Sequence, residues 1–388
     1  MADPAAEAAR LTANAVDVLP AGVLVEQLAQ GRPLRVKLGI DPTSADIHLG
    51  HIVVLSKLRE FQDAGHLVVL IIGDFTARVG DPSGRSAERP LLSDEQIAAN
   101  ARTYQEQAFK VLERERTEVR NNSEWLEMGA ARLLELLSRS TVARLMERDI
   151  FERRNEAGEP ISTLELIYPL LQGYDSVAVN SDVELGGTDQ KFNLLFARDV
   201  QASFGEPPQS IVTMPLLIGT DGSQKMSKSL GNYVAVSDPP EEMFGRLMSI
   251  PDELMPEYFR LLLSAEPPPL EPNLAKRELA RRIVERYHGA EAPGTAEEHF
   301  DRLHVRHELP EEIEEARVAA NDPLHLPALL AEQFGLSRSE ARRLIEQGGV
   351  RVDGRVVAAG ELDLPLDRLD GAVVQVGKRR HKRMRIER

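Results

Sequence analysis

Gly39-Ile-Asp-Pro-Thr-Ser-Ala-Asp-Ile-His-Leu-Gly-His51 lies between two patterns that fix its setting. Before it, Leu34-Arg-Val-Lys-Leu38 is a short apolar run that reads as a strand. After it, Ile52-Val-Val-Leu-Ser-Lys-Leu-Arg-Glu-Phe61 has the apolar spacing of a helix. Asp41-Pro-Thr-Ser44 between them is turn chemistry, since proline fixes φ and the polar side chains bond nearby amides. A helix that begins at such a turn aims its unpaired amides and the positive end of its dipole into the turn. The stretch is an anion site in prospect, with His48 and His51 on the first helical turn.

Working outward, His66-Leu-Val-Val-Leu-Ile-Ile-Gly73 has the continuous apolar character of a strand buried on both faces of a parallel sheet. Strand, helix and strand in this spacing form a βαβ unit. The fold class expected is α/β, with a Rossmann-type parallel sheet that binds a nucleotide. Upstream, residues to about Gln30 read as helical. Downstream, Ser93 and Gln96 form a capping box for a helix running to about Glu113, and Thr117–Arg120 reads as a strand. Ser176-Val-Ala-Val-Asn180 and Ser210-Ile-Val-Thr-Met214 read as further strands, separated by a helix over about 189–204. An insertion at about 123–165 is helical, with Leu133, Leu134, Leu136 and Leu137 crowded together. So apolar a segment needs a partner surface, either a second copy of the chain or the monomer's own core.

Beyond Val236 no strand pattern recurs until the end of the chain. Residues 1–236 are thus expected to be one catalytic domain and 237–322 a helical domain broken by prolines. Residues 323–388 are expected to form a small α+β domain after an Asn321-Asp-Pro323 linker. Two short helices (about 326–334 and 338–347) and the strand-like Val350-Arg-Val-Asp-Gly-Arg-Val-Val357 make up that last part.

With 388 residues, 42% apolar and 28% charged, the chain has the composition of a multidomain globular protein. No apolar run is long enough to span a bilayer, and the start of the chain lacks the features of a signal peptide. The absence of cysteine excludes disulfides and thiolate metal sites. A cytoplasmic protein without membrane partners is expected. The net charge of -15 argues against a general nucleic-acid coat. The basic Lys378-Arg-Arg-His-Lys-Arg-Met-Arg385, set against the acidic Glu311-Glu-Ile-Glu-Glu315, leaves open either a nucleic-acid-contacting end or a solvated tail.

Three clusters carry chemistry. In His48-Leu-Gly-His51 the histidines share a helix face, so a metal pair is conceivable; yet no carboxylate or third histidine stands at a useful spacing, and no metal site is assigned. Gly50 reads better as a gap that lets a ring approach the backbone. Lys225-Met-Ser-Lys-Ser229, flanked by Gly219-Thr-Asp-Gly222 and Gly231, reads either as a surface loop or as a mobile loop that closes on a polyphosphate. Gly80-Asp-Pro-Ser-Gly-Arg85, followed by Arg89, is another phosphate-directed turn or an ordinary one.

The pairing and order of the histidine and lysine motifs resemble the two signatures of class I aminoacyl-tRNA synthetases. The wider resemblance is to the bacterial tyrosyl-tRNA synthetase family and covers nearly the whole chain. It includes Gly39-Ile-Asp-Pro-Thr43, Tyr168-Pro-Leu-Leu-Gln-Gly-Tyr-Asp175 and Gly186-Gly-Thr-Asp-Gln190. Ser337 to Gly354 is similar to the RNA-binding module of the ribosomal protein S-four type, which favours the nucleic-acid reading of the basic end.

This resemblance implies that L-tyrosine is activated by ATP, magnesium arriving with the nucleotide, and is then transferred to tRNA(Tyr) by a homodimer joined through the inserted helices. It implies that Thr43, His48 and His51 steady the phosphates and ribose, that Gly50 makes room for adenine, and that Gly187 and Asp189 meet the ribose. Lys225, Lys228, Arg85 and Arg89 would clamp the pyrophosphate. Asp81, Tyr168 and Gln172 would hold the substrate ammonium, Gln190 would lie near its carboxyl end, and Asp175 would accept the phenolic hydrogen bond. Tyr168, Gln172 and Asp175 are spaced by four and three, one face of a helix.

Lys37 departs from the commoner family pattern, in which a tyrosine at that position helps read the substrate hydroxyl. A lysine near the end of a buried strand is costly unless paired, so it should face a carboxylate or the pocket. The rival readings are a tryptophanyl enzyme of the same fold, a nucleotidyltransferase that shares the histidine motif, and a non-enzymatic RNA-binding descendant.

Overall fold

The computed structural model describes residues 3–82, 92–306, 313–319, 323–377 and 380–387. They fall into two compact units, 1–296 and 297–388. Arg85, Arg89 and the Asn321–Asp322 part of the expected linker lie outside the described residues.

The first unit is built on a six-stranded sheet of β1 (Asp17–Leu19), β2 (Arg35–Ile40), β3 (Leu67–Ile72), β4 (Thr117–Asn121), β5 (Val183–Gly187) and β6 (Ser210–Met214). Their order is β1-β6-β5-β2-β3-β4, and only β1 is antiparallel to its neighbour. The central strands are apolar because helices cover both faces; Val68 to Ile72 and Val36 are fully buried. From β2 the chain winds outward through β3 to β4, then returns to β5 on the other side of β2. That reversal opens a crevice beyond the carboxyl ends of β2 and β5, where ligands bind in sheets of this kind.

Three local readings change. Ser176–Asn180 is not a strand: helix Thr163–Ala178 runs into it, and the strand comes later, at β5. Its β-branched residues are overridden by packing, for Gly173 lies so close to helix Lys191–Ser203 that a Cβ there would fall 2.7 Å from Val200 Cγ2. The first thirty residues are not all helical, since β1 pairs with β6 at the sheet edge. Residues 239–322 are not all helical either. After the helices Pro240–Met248, Met255–Leu263, Pro272–His288 and Ala292–Phe300 comes β7 (Glu315–Ala319), whose Ala316 and Val318 alternate inward.

In the second unit, β7 pairs in parallel with β13 (Arg380–Glu387) at the edge of a five-stranded sheet of order β10-β9-β12-β13-β7. Its other members are β9 (Val350–Val352), β10 (Arg355–Val356) and β12 (Val373–Val376), while β8 (Leu324–His325) and β11 (Asp363–Leu364) pair with each other. Helices Leu326–Phe334 and Arg338–Glu346 bury Leu326, Leu330, Ala341 and Ile345 in the core of this unit. The turn Asp353-Gly354 joins β9 to β10 with φ of 45° and 76°, a left-handed pair that an Asp-Gly dipeptide tolerates. Most of the basic end is therefore a strand with its backbone paired on both sides.

Candidate active site

A cavity of about 440 Å³ fills the crevice at the sheet reversal. Of the residues singled out from the sequence, Thr43, His48, Gly50, His51, Asp81, Tyr168, Gln172, Asp175, Gly187, Asp189, Gln190, Lys225 and Lys228 all line it. Lys37 does not.

One end is made of turns. Helix Leu49–Asp63 starts at His48, whose backbone N–H donates to His51 Nδ1 at 3.2 Å. His51 therefore carries its ring proton on Nε2 when neutral. The two rings lie 3.9 Å apart, and a Cβ on Gly50 would stand 3.0 Å from the His48 ring. The absence of a Cβ at Gly50 thus leaves room for the ring of His48. Burial, with help from the nearby ammonium groups, pushes His51 down to about 4 and lowers His48 well below the ordinary histidine value. Both are neutral at physiological pH. His48 Nδ1 is buried with no hydrogen-bond partner among the described residues.

The lysine loop joins this turn directly. Leu49 N–H donates to Val234 O at 3.0 Å and Val236 N–H to Ile47 O at 3.0 Å, so the segment after the loop pairs with the histidine segment. Met226 is buried beside Gly50, and Asn232 Oδ1 accepts from Ser227 N–H at 2.8 Å. Lys228 Nζ donates to Ser44 Oγ at 2.8 Å and to the carbonyl of Asp46. Partial burial lowers its pKa to about 8. Lys225 Nζ lies 2.7 Å from Asp189 Oδ2. Both ammonium groups are thus held over the cavity by protein oxygens.

The other end is made of regular elements. Helix Thr163–Ala178 presents Tyr168, Gln172 and Asp175 on one face. Tyr168 donates to Asp41 Oδ2 at 2.8 Å, and Thr76 donates to Asp41 Oδ1 at 2.7 Å. Asp175, at the closed end, receives Trp125 Nε1 at 2.8 Å and Asn122 Nδ2 at 3.4 Å. Burial raises both Asp41 and Asp175 to about 7, against the lowering effect of the nearby Lys37 charge at Asp175 and of these hydrogen bonds at both. Asp81 receives Gln190 Nε2 at 2.7 Å and faces Arg148 at 3.2 Å. Gln190 is therefore tied to the Asp81 carboxylate.

Lys37 faces a carboxylate, one of the two environments its burial demanded. Its ammonium lies 2.9 Å from Glu184 and donates to Ser176 Oγ at 2.6 Å. Sequence reading missed Glu184, Asn122, Trp125 and Arg148. For Glu184 a signal existed, an acid in an apolar run that matched an unexplained buried lysine. The others are brought in by tertiary packing and had none.

The sheet reversal, the paired histidine and lysine segments and the buried acids define a nucleotide-dependent amino-acid-activating site. Residues 29–304 match the family described as tRNA synthetases class I (W and Y), and 326–362 match the S4 domain. The chain belongs to the class I aminoacyl-tRNA synthetases. It is 48% identical over 387 residues to the tyrosine–tRNA ligase of Thermotoga maritima, with 96% of each chain covered. To that of Moorella thermoacetica it is 50% identical over 379 residues, covering 93% of this chain and 90% of the other. Among solved structures, the tyrosyl-tRNA synthetase of Aeropyrum pernix shares the fold, with a TM-score of 0.61 at 23% identity over 76% of this chain and 98% of that one.

Proposed function

We infer that the chain is a tyrosine–tRNA ligase. The observation that carries this is one cavity with a neutral-histidine and lysine end shaped for phosphate and a closed end that terminates in the buried carboxylate of Asp175.

The carboxylate of tyrosine attacks the α-phosphorus of ATP, the bond from that phosphorus to the β-phosphate oxygen breaks, and pyrophosphate leaves. No protein nucleophile is needed; alignment and charge stabilisation are. His48 and His51 donate to phosphate and ribose oxygens as neutral imidazoles, with Thr43 beside them. Lys228 and Lys225 exchange their protein oxygens for those of the departing pyrophosphate, joined by Arg85 and Arg89. Gly187 and Asp189 meet the ribose, and Asp189 becomes available as Lys225 leaves it. Magnesium enters with ATP as part of the substrate.

Asp81, Tyr168 and Gln172 take the ammonium of tyrosine, with Gln190 holding Asp81, while Asp175 accepts the hydrogen bond of the phenol. Phenylalanine would leave that acceptor and its donors unsatisfied, which is how the pocket rejects it. In the second step the terminal ribose hydroxyl of tRNA(Tyr) attacks the carbonyl carbon and AMP leaves.

The helices between 237 and 296 read the anticodon end and the second unit holds tRNA phosphates. Exposed Leu134, Val142 and Leu164 in and beside the inserted region support a homodimer. No helix among the described residues is long and apolar enough to cross a membrane, which fits a cytoplasmic location.

Pyrophosphate–ATP exchange with each amino acid in turn tests the reading. Exchange with tyrosine is expected; its absence, or stronger exchange with tryptophan, overturns it. Cutting the chain after Ala296 should abolish tRNA charging and spare exchange, whereas equal loss of both contradicts the division of labour.

A further inference from the structure

Lys37 and Glu184 stand opposite one another on the adjacent parallel strands β2 and β5, both fully buried. Lys37 Nζ lies 2.9 Å from Glu184 Oε1 as an ion pair and donates to Ser176 Oγ (2.6 Å) and the carbonyl of Gln172 (3.4 Å). Glu184 Oε2 receives Ser176 Oγ at 3.2 Å and also Gln209 Nε2. Glu184 Oε1 takes a further donor, Gln172 Nε2, at 3.3 Å.

That last contact decides which way the Gln172 amide points. A carboxylate has only acceptors, so the amide must turn its NH₂ toward Glu184. Its oxygen is then left on the other side, toward the cavity that Gln172 lines. Gln172 Oε1 is indeed buried with no hydrogen-bond partner among the described residues. An unpaired buried acceptor is costly unless a ligand donor completes it. With the amide reversed, an NH₂ would confront the substrate ammonium instead.

We propose that Glu184, paired with Lys37, is a positioning residue that fixes the Gln172 amide with its oxygen toward the substrate ammonium. Lys37 thus does not touch the phenol. It neutralises Glu184 inside the sheet and pins helix Thr163–Ala178 to it through Ser176 and the Gln172 carbonyl. The proposal rests on the tyrosine-activating reading above.

The full chain is compared with K37M/E184M and K37M/E184Q, measuring dissociation constants for tyrosine and for 3-(4-hydroxyphenyl)propanoate, which lacks the ammonium. Replacing a buried ion pair by apolar residues of similar size is commonly tolerated. K37M/E184M is expected to bind tyrosine about tenfold to a hundredfold more weakly and to bind the deaminated acid as the native chain does. In K37M/E184Q the new amide oxygen again accepts from Gln172, and Gln209, whose Oε1 has no partner, can turn to match. Tyrosine binding should recover to within about threefold, a fraction of one hydrogen bond. Equal affinities for tyrosine in the two double variants overturn the proposal, as does a loss shared by both ligands. Gln172→Met leaves the buried pair intact and does not depend on the double variant folding; it should lose affinity for tyrosine alone, and unchanged tyrosine binding also overturns the proposal. Failure of the native chain to bind tyrosine would instead refute the underlying function.

Discussion

The two ends of the cavity handle charge in opposite ways. At the turn end burial pushes basic groups down, so that His48 and His51 are neutral and Lys228 sits at about 8. At the helix end burial pushes acids up, so that Asp41 and Asp175 sit at about 7. The turn end is assembled from loop segments whose ammonium groups rest on replaceable protein oxygens. The helix end is held by a strand, a helix and side-chain donors carried on them and on the packed segment around Asn122 and Trp125. The difference teaches where each kind of work is done. In the proposed reading, recognition of the amino acid is preorganised in regular structure, while stabilisation of the departing phosphate is left to groups that must move.

The largest effect should come from the preorganised end. Asp175→Ala removes the proposed phenol acceptor and strands the Trp125 indole donor. Tyrosine-dependent exchange should fall about a thousandfold in kcat/KM, the scale of breaking a buried polar pair. A loss below tenfold would mean that Asp175 is not the reader.

At the movable end, Lys228→Ala should slow adenylate formation about a hundredfold, the cost of one donor to developing charge. Its tyrosine dissociation constant should stay near native, as single-turnover kinetics would resolve. An unchanged rate would remove Lys228 from the clamp, and parallel losses in rate and binding would erase the contrast between the ends.

The pH dependence separates the ends further. In the free enzyme kcat/KM for tyrosine should fall as pH drops through about 7, because Asp175 then binds a proton and loses acceptor strength. The histidines are already neutral across this range and contribute no limb. Asp175→Asn should remove the part of this fall that Asp175 causes and leave the titrations of Asp41 at about 7 and Lys228 at about 8, and His51→Asn should leave the shape of the profile intact.

Stability should show the smallest effect, with opposing slopes. Between about pH 4 and 6.5 the unfolded chain binds a proton at His51 that the folded chain refuses, so this residue makes stability rise with pH. Between about pH 4 and 7 the folded chain keeps protons on Asp41 and Asp175 that the unfolded chain releases, so these make it fall. Urea unfolding of His51→Asn at pH 5, 6 and 7 should show a steeper fall with rising pH than the native chain. An equal slope would mean that His51 does not keep its lowered value.

Much of the site was legible because its chemistry is local. The strand, turn and helix from Leu34 to Phe61 carry their own punctuation, and the spacing of Tyr168, Gln172 and Asp175 specifies one helical face whatever surrounds it. Arg85 and Arg89 were legible as phosphate-directed residues but lie outside the described structure. What was illegible depends on contacts between distant segments. Ser176–Asn180 reads as a strand by composition, yet Gly173 allows helix Thr163–Ala178 to lie against helix Lys191–Ser203 and continue. Glu315–Ala319 is too short to signal a strand without its partner β13, seventy residues on.

The sequence by itself determined the class of chemistry, because the pairing and order of its histidine and lysine motifs resemble a known family where each motif alone left alternatives open. It also stated a problem, a lysine where burial would demand a partner. Only the tertiary structure decided the answer. Strands β2 and β5 are adjacent although nearly a hundred and fifty residues apart, and the register that sets Lys37 against Glu184 exists only once the sheet has formed. Which side of the Gln172 amide meets the substrate follows from that register, since a carboxylate can accept hydrogen bonds and cannot donate them.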